Sequence, residues 1–243
     1  MNNFPYLSIV VPAHNEAERI ERCVHEITMQ MPAKQTEIVI VENGSVDQTW
    51  HKCTLLARQR NVRITRIKER SKALAIVRGM EIAHGQFRYM CDADLSTPVT
   101  DLLNKFMPLA ESGIDIVIGS RTMPGGSVRT SLKRKLIGRV FNGVIRAVTG
   151  LEFHDTQCGF KMFSASAAMQ IFPLLKMHSP AFDVEILWLA QRLGFSVMEI
   201  PVTWVNEPHS AMRLVSDSWK MFRDVMSLPS LHADLKSPQR VTS

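Results

Sequence analysis

From residue 7 to residue 121 the chain alternates short β-branched apolar runs with stretches of helical periodicity, and nothing else in it restricts the fold so tightly. "LSIVVP" (7–12), "EIVIVEN" (37–43), "VRITRIK" (62–68), the run leading to Asp92 and "DIVIGSR" (115–121) read as strands. "EAERIERCVHEITMQM" carries Ile20, Val24 and Ile27 on one helical face, and "DQTWHKCTLLARQR" reads as a second helix. "SKALAIVRGMEIAHG" reads as a third, with Gly85 as its C-cap. A fourth opens at "STP", where Ser96 or Thr97 can cap and Pro98 can occupy the first turn. Strand and helix in strict succession predict an α/β fold with a mostly parallel central sheet, flanked by helices and joined by right-handed crossovers. In such sheets the rim formed by strand C-termini binds ligands. "VPAHNE", "VENGS", "CDADLS" and "GSR" all stand at such ends and are expected to converge there.

Beyond residue 122 the pattern loosens. "MPGGSVRTS" reads as a basic loop, 131–149 and "AFDVEILWLAQRLG" as helices, "SVMEIPVTWV" as a strand and "SDSWKMFRDVMSL" as an amphipathic helix. No linker divides the chain, which predicts a single domain over residues 1–230 and a polar tail, 231–243, that frays. No run of 18 apolar residues marks a membrane span, and the N-terminus lacks the pattern of a secretory signal. Four cysteines without paired spacing point to a reduced, cytoplasmic protein rather than a disulfide or zinc scaffold. A net charge of +6 favours anionic partners. The basic run "RTSLKRKLIGR" (129–139) has no interleaved aromatics, which argues against single-stranded nucleic acid; a plain solvated face is the other reading.

The chemistry concentrates in "RYMCDADLSTP". Asp92 and Asp94, one residue apart at a strand end, repel each other unless positive charge lies between them. A divalent cation is the natural candidate, and hard carboxylate oxygens suit Mg2+ or Mn2+ shared with a diphosphate. Two solvated loop carboxylates, one capping the next helix, are the alternative. Neither a G-x-x-x-x-G-K-[ST] loop nor a G-x-G-x-x-G fingerprint occurs, which disfavours those two routes to a phosphate site.

"SIVVPAHNEAERI", "EIVIVENGSVDQT", "SKALAIVRGM", "DADLSTP", "VIGSR", "DTQCGFKMF", "AFDVEIL" and "VTWVNEPHS" occur in that order. Together they resemble the family two inverting glycosyltransferases, in the branch of dolichyl-phosphate (polyprenyl-phosphate) β-glucosyltransferases and mannosyltransferases. The resemblance spans about residues 7 to 227. It implies a Rossmann-like GT-A fold and a metal-dependent hexosyltransferase that uses a nucleotide sugar, UDP-glucose foremost. The implied acceptor is polyprenyl phosphate, met peripherally at the cytoplasmic face of a membrane.

By the same resemblance Pro12, Ala13, His14 and Glu16 match the turn that holds the nucleotide, and Val41 and Asn43 match positions edging the base. The family's Asp-Asp-Gly-Ser is here Glu42-Asn43-Gly44-Ser45, and its Gly-Lys-Gly is Ser71-Lys72-Ala73. Asp92, Ala93 and Asp94 match the metal and nucleotide motif, Asp94 holding the cation and Asp92 the ribose or a metal-bound water. Arg121 and Arg134 match arginines on the acceptor phosphate, with Gly138 where relatives carry a serine and Arg129 as a substitute. Asp183 matches the position of a general base, or of a residue orienting the sugar when the acceptor is an ionised phosphate; Asp155 is the second candidate near the sugar. His209 or Arg213 replaces a diphosphate-binding lysine. Two other readings remain open: the same chemistry on a soluble sugar or polysaccharide, and a non-catalytic nucleotide-sugar binding protein.

Overall fold

The structure, a computed structural model, describes residues 5–125, 127–128, 142–204 and 216–235. Its centre is a seven-stranded sheet of order β3-β2-β1-β4-β7-β5-β8. In chain order these are β1 (Leu7–Ala13), β2 (Thr36–Asn43), β3 (Val62–Ile67), β4 (Phe87–Met90), β5 (Ile116–Ser120), β7 (Lys161–Ser164) and β8 (Val197–Pro201). A two-stranded parallel ribbon, β6 (Ser127–Val128) with β9 (Thr203–Trp204), lies apart from it. All pairings in the main sheet are parallel except those of β7, which runs antiparallel to β4 and β5. The expected mostly parallel, helix-flanked sheet is thus present, with β7 as an inserted strand that the pattern of the sequence did not show.

Both faces of the sheet are covered, so its central strands are buried along their whole length. Alternate residues divide between two cores. Val10, Val39, Val41, Met90, Ile116 and Ile118 enter one, and Ile9, Val11, Ile38, Ile40, Tyr89 and Val117 the other. Helix α1 (Ile20–Gln30) buries Ile20, Val24 and Ile27, as its spacing predicts. Helices α2 (Thr49–Leu56) and α3 (Lys72–Ile82) follow, and residues 142–149 are helical (α6). The later helices are α7 (Ala165–Ile171), α8 (Phe182–Arg192) and α9 (Ser216–Leu231). The segment after "DADLSTP" is α-helical at Val99–Asp101 (α4), widens to a π-turn at Leu102–Phe106, and resumes at Met107–Glu111 (α5).

Three local expectations are corrected. Helix α3 stops at Ile82, because Ala83 is already extended, and Gly85 serves another purpose. A methyl on Gly85 would meet Ser8 N at 2.5 Å, so the missing side chain permits a backbone approach to β1. At α4 neither Ser96 nor Thr97 caps: Pro98 itself is the N-cap residue, and Ser96 N instead donates to Asp94 Oδ1 at 2.9 Å. His232, expected in a fraying tail, is 2% exposed and bonds Glu185 on α8 at 2.6 Å.

Candidate active site

The chain leaves β1 for β2 on one side and returns through β3 to β4 on the other, so strand order reverses between β1 and β4. The loops leaving two such strands diverge to opposite faces and open a crevice at the C-terminal rim. A cavity of about 330 Å³ lies there. Pro12, His14, Asn15, Glu16 and Arg19 line it after β1, and Asn43 at the end of β2. Arg70 and Lys72 line it at the start of α3, and Asp92, Ala93 and Asp94 after β4. Three of the four strand ends expected to converge therefore do so in one pocket.

The first two turns lock together. The Asn43 carbonyl can only accept, so the 2.9 Å contact fixes the His14 proton on Nδ1. Asn15 adopts a left-handed backbone, φ 55°, donates from its N–H to Ser45 Oγ at 3.0 Å and accepts from Val46 N at 3.0 Å. Asn43 is buried, yet among the described residues nothing bonds its Oδ1. A buried acceptor without a donor is costly, and here it borders the cavity. Ala13 and Val41, expected at the nucleotide, are wholly buried and pack into the two cores. They support the rim from below and do not line the pocket.

Glu16 is the least settled charge. Its Oε2 lies 3.2 Å from Arg19 Nε yet makes no hydrogen bond among the described residues. Burial pushes its carboxyl up to about 7; Arg19 opposes this, while Asp94, Asp92 and Asp47 add to it. Leu95, directly after the two aspartates, holds a left-handed φ of 50°, a strained backbone for that residue.

The positive charge beside Asp92 is Lys72, which forms an ion pair with it. Ser71 caps α3, its Oγ accepting from Leu74 N at 3.3 Å, and so sets where Lys72 projects. Desolvation works against the ammonium, but Asp92, Asp183 and Asp94 outweigh it and hold Lys72 above the ordinary lysine range. A methyl on Gly159 would come within 2.8 Å of Asp92 Oδ2 and 3.3 Å of Lys72 Nζ, so the loop before β7 closes against this pair.

The remaining candidates form two further pairs. Asp155 takes Arg121 Nε at 2.7 Å and Nη2 at 3.0 Å, and also Arg121 N at 3.0 Å. Burial opposes the Asp155 charge, yet Arg121 holds its carboxyl below the usual range. Arg121 therefore meets any acceptor with two of its side-chain nitrogens already committed. Asp183 is buried at the start of α8 and pairs at 2.5 Å with Lys161, whose own exposure is nil. Arg129, Arg134, Gly138, His209 and Arg213 lie outside the described residues.

A rim pocket at a sheet reversal, with carboxylates and a lysine on one wall, is suited to a nucleoside diphosphate, and sequence likeness says in which family. The sequence model of glycosyl transferase family 2 matches residues 8–172. The chain belongs to glycosyl transferase family 2. This glycosyltransferase is 31% identical over 243 aligned residues to the dolichyl-phosphate beta-glucosyltransferase of Dictyostelium discoideum, covering 92% of its own length and 73% of the relative's. It is 30% identical to the enzyme of that name from Saccharomyces cerevisiae, at 91% and 73% coverage. Its fold also matches the crystal structure of glucosyl-3-phosphoglycerate synthase from Mycobacterium tuberculosis in complex with Mn2+, UDP and glucosyl-3-phosphoglycerate. The TM-score there is 0.65 at 19% identity, over 97% of this chain and 82% of that one. The glycosyltransferase thus has the GT-A architecture.

Its donor atoms suit a hard cation that brings other ligands with it. Among the described residues no group of three or more His, Cys, Asp or Glu side chains is placed to hold a metal unaided. Asp94 Oδ2 and Glu16 Oε2 are carboxylate oxygens without hydrogen bonds among those residues. Mg2+ and Mn2+, which keep waters and share phosphate oxygens, fit such a partial set. Sequence reasoning missed Asn15, Arg19, Arg70, Gly159 and Lys161. The left-handed Asn15 had a signal in its residue type and its place after a strand; Lys161, a lysine in a short apolar run, had none.

Proposed function

We propose that this glycosyltransferase moves a hexose, foremost glucose from UDP-glucose, onto a polyprenyl phosphate of dolichyl type with inversion. The observation carrying this reading is the likeness to two dolichyl-phosphate beta-glucosyltransferases over nine-tenths of the chain.

In the reaction an acceptor phosphate oxygen attacks the anomeric carbon, the bond from that carbon to the diphosphate breaks, and UDP leaves with the electron pair. A phosphate monoester is largely ionised near neutral pH, its second pKa being about 6, so no protein base need deprotonate it. Asp183, buried and paired with Lys161, then serves to orient the site. Asn43, a residue lining the cavity, is assigned to the base, and Pro12 and His14 form the adjoining wall. Lys72, part-open to the cavity, places positive charge beside the departing diphosphate. Asp94, with Asp92 and Glu16 near it, would hold Mg2+ or Mn2+; a bound cation neutralises charge that develops on the leaving diphosphate.

Arg121 Nη1, with no hydrogen bond to a described residue, is left for an acceptor phosphate, Arg134 being assigned the same task and Arg213 the diphosphate. Among the described residues no helix is long and apolar enough to cross a membrane. We assign the lipid acceptor to peripheral contact at the cytoplasmic face of a membrane.

The test is transfer of labelled sugar from UDP-, GDP- and dTDP-hexoses, with Mg2+ or Mn2+, in the presence of polyprenyl phosphate. Label from UDP-glucose in the organic extract supports the proposal. Label that remains entirely aqueous moves the acceptor to a soluble sugar or polysaccharide, and no turnover with bound UDP points to a non-catalytic binding protein.

A further inference from the structure

Among the described residues Lys161 is the one lysine among the large side chains that are fully buried, and it enters the reaction above only as the partner of Asp183. It sits at the start of β7 between β4 and β5, and its ammonium is held by two oxygens, Asp183 Oδ1 and the Cys158 carbonyl, each at 2.5 Å. A buried ammonium is maintained only by close anionic partners, so this contact fixes α8 to the loop that precedes β7. The next residue in that loop after Cys158 is Gly159, the one pressed against Asp92 Oδ2 and Lys72 Nζ. Lys161 thus pins the backbone that forms one wall of the Lys72–Asp92 pair, and it pins Asp183, whose charge acts on Lys72 through space. Charges alternate along this line from Asp92 through Lys72 and Asp183 to Lys161.

We propose that Lys161 is a positioning residue for sugar transfer: acting through Asp183 and the Cys158–Gly159 backbone, it fixes the place of Lys72 beside the leaving diphosphate. The inference rests on the pocket being the transfer site. Lys161 itself, wholly enclosed, touches no substrate.

A double-mutant cycle with Lys161→Met, Asp183→Asn and the combined variant tests it, read as kcat for release of glucose from UDP-glucose to acceptor or to water. That rate can be followed whichever acceptor the wild-type enzyme prefers, so a wrong acceptor sinks only the reading of the preceding subsection. If Lys161 acts through Asp183, each single variant loses 30-fold or more in kcat, and the combined variant loses no more than the worse single one. UDP affinity stays within about threefold throughout, since the loss falls on the transition state. Losses that multiply, a Lys161→Met enzyme within threefold of wild type, or a combined variant that regains kcat along with melting temperature overturn the proposal. Gly159→Ala probes the same line without removing a charge: its kcat falls tenfold or more at unchanged melting temperature. A Gly159→Ala enzyme with wild-type kcat shows that the pinned wall does not set the pair and is equally fatal, even should Lys161→Met fail to fold.

Discussion

Lys72 on α3 forms an ion pair with Asp92 beyond β4, and the backbone of Gly159 closes against both. In the protein alone, the repulsion between Asp92 and Asp94 is thus already offset on one side by a lysine. Asp94 remains the carboxylate whose Oδ2 makes no hydrogen bond among the described residues.

The Lys72–Asp92 pair is exposed at 41% and 34%, so water screens it and it adds little to stability. Lys72→Met is expected to change unfolding free energy by less than about 1 kcal/mol and to lower kcat by about 10²–10³. Thermal melts and steady-state rates on one preparation check both. A large loss of stability, or an intact kcat, contradicts the role given to Lys72.

Asp155 and Arg121 form a more enclosed unit, at 7% and 30% exposure. Asp155→Asn strands the guanidinium and is expected to cost about 3 kcal/mol in denaturant unfolding. Because the folded Asp155 carboxyl sits below its ordinary value, its stabilising contribution is complete above about pH 4 and is lost as pH falls through the folded value. Wild type should therefore lose stability in that acid window, and Asp155→Asn should lose less.

Glu16 works in the opposite sense. Its folded value, about 7, lies above the ordinary 4.5, so the folded protein binds the extra proton between them. Stability from this group is present below pH 4.5 and falls as pH rises toward 7. Melting temperature measured from pH 5 to pH 8 should decline less in Glu16→Gln than in wild type. Parallel curves would show that Glu16 does not titrate in this range.

His232 joins the end of α9 to α8. Its ring bonds Glu185 at 2.6 Å and lies 5.6 Å from the Trp188 ring, while Lys176 Nζ donates to Leu231 O at 2.8 Å. His232→Ala removes a buried partner from Glu185, which keeps the N–H groups of Lys176 and Met177. The expected cost is about 1–3 kcal/mol, with faster hydrogen exchange confined to α9 and the segment after it. Exchange unchanged in α9 would refute the tether.

The rim of the sheet was legible because parallel strands buried on both faces must be written in apolar residues and must end in polar ones. That contrast marked the strand ends that carry Pro12, His14, Asn43, Asp92 and Asp94, and the family resemblance gave Pro12, His14 and Asn43 their roles. The residues that escaped owe their roles to distant partners. Lys161 meets Asp183 22 positions on, and Glu185 meets His232 47 positions on. Strand β7 has only four residues, one of them charged, too short for alternation to register. Gly85 and Gly159 were open to several readings, since a glycine that admits a neighbouring chain looks in sequence like one that caps a helix.

The proposed transfer requires Asp94 to face a nucleoside diphosphate at the β1/β4 rim. The most direct measurement is the rate at which purified Asp94→Asn transfers labelled glucose from UDP-glucose to polyprenyl phosphate, beside wild type at equal melting temperature. A fall of about 10³ or more in that rate is the predicted result. Transfer by Asp94→Asn at the wild-type rate would contradict the placement of the chemistry in this pocket.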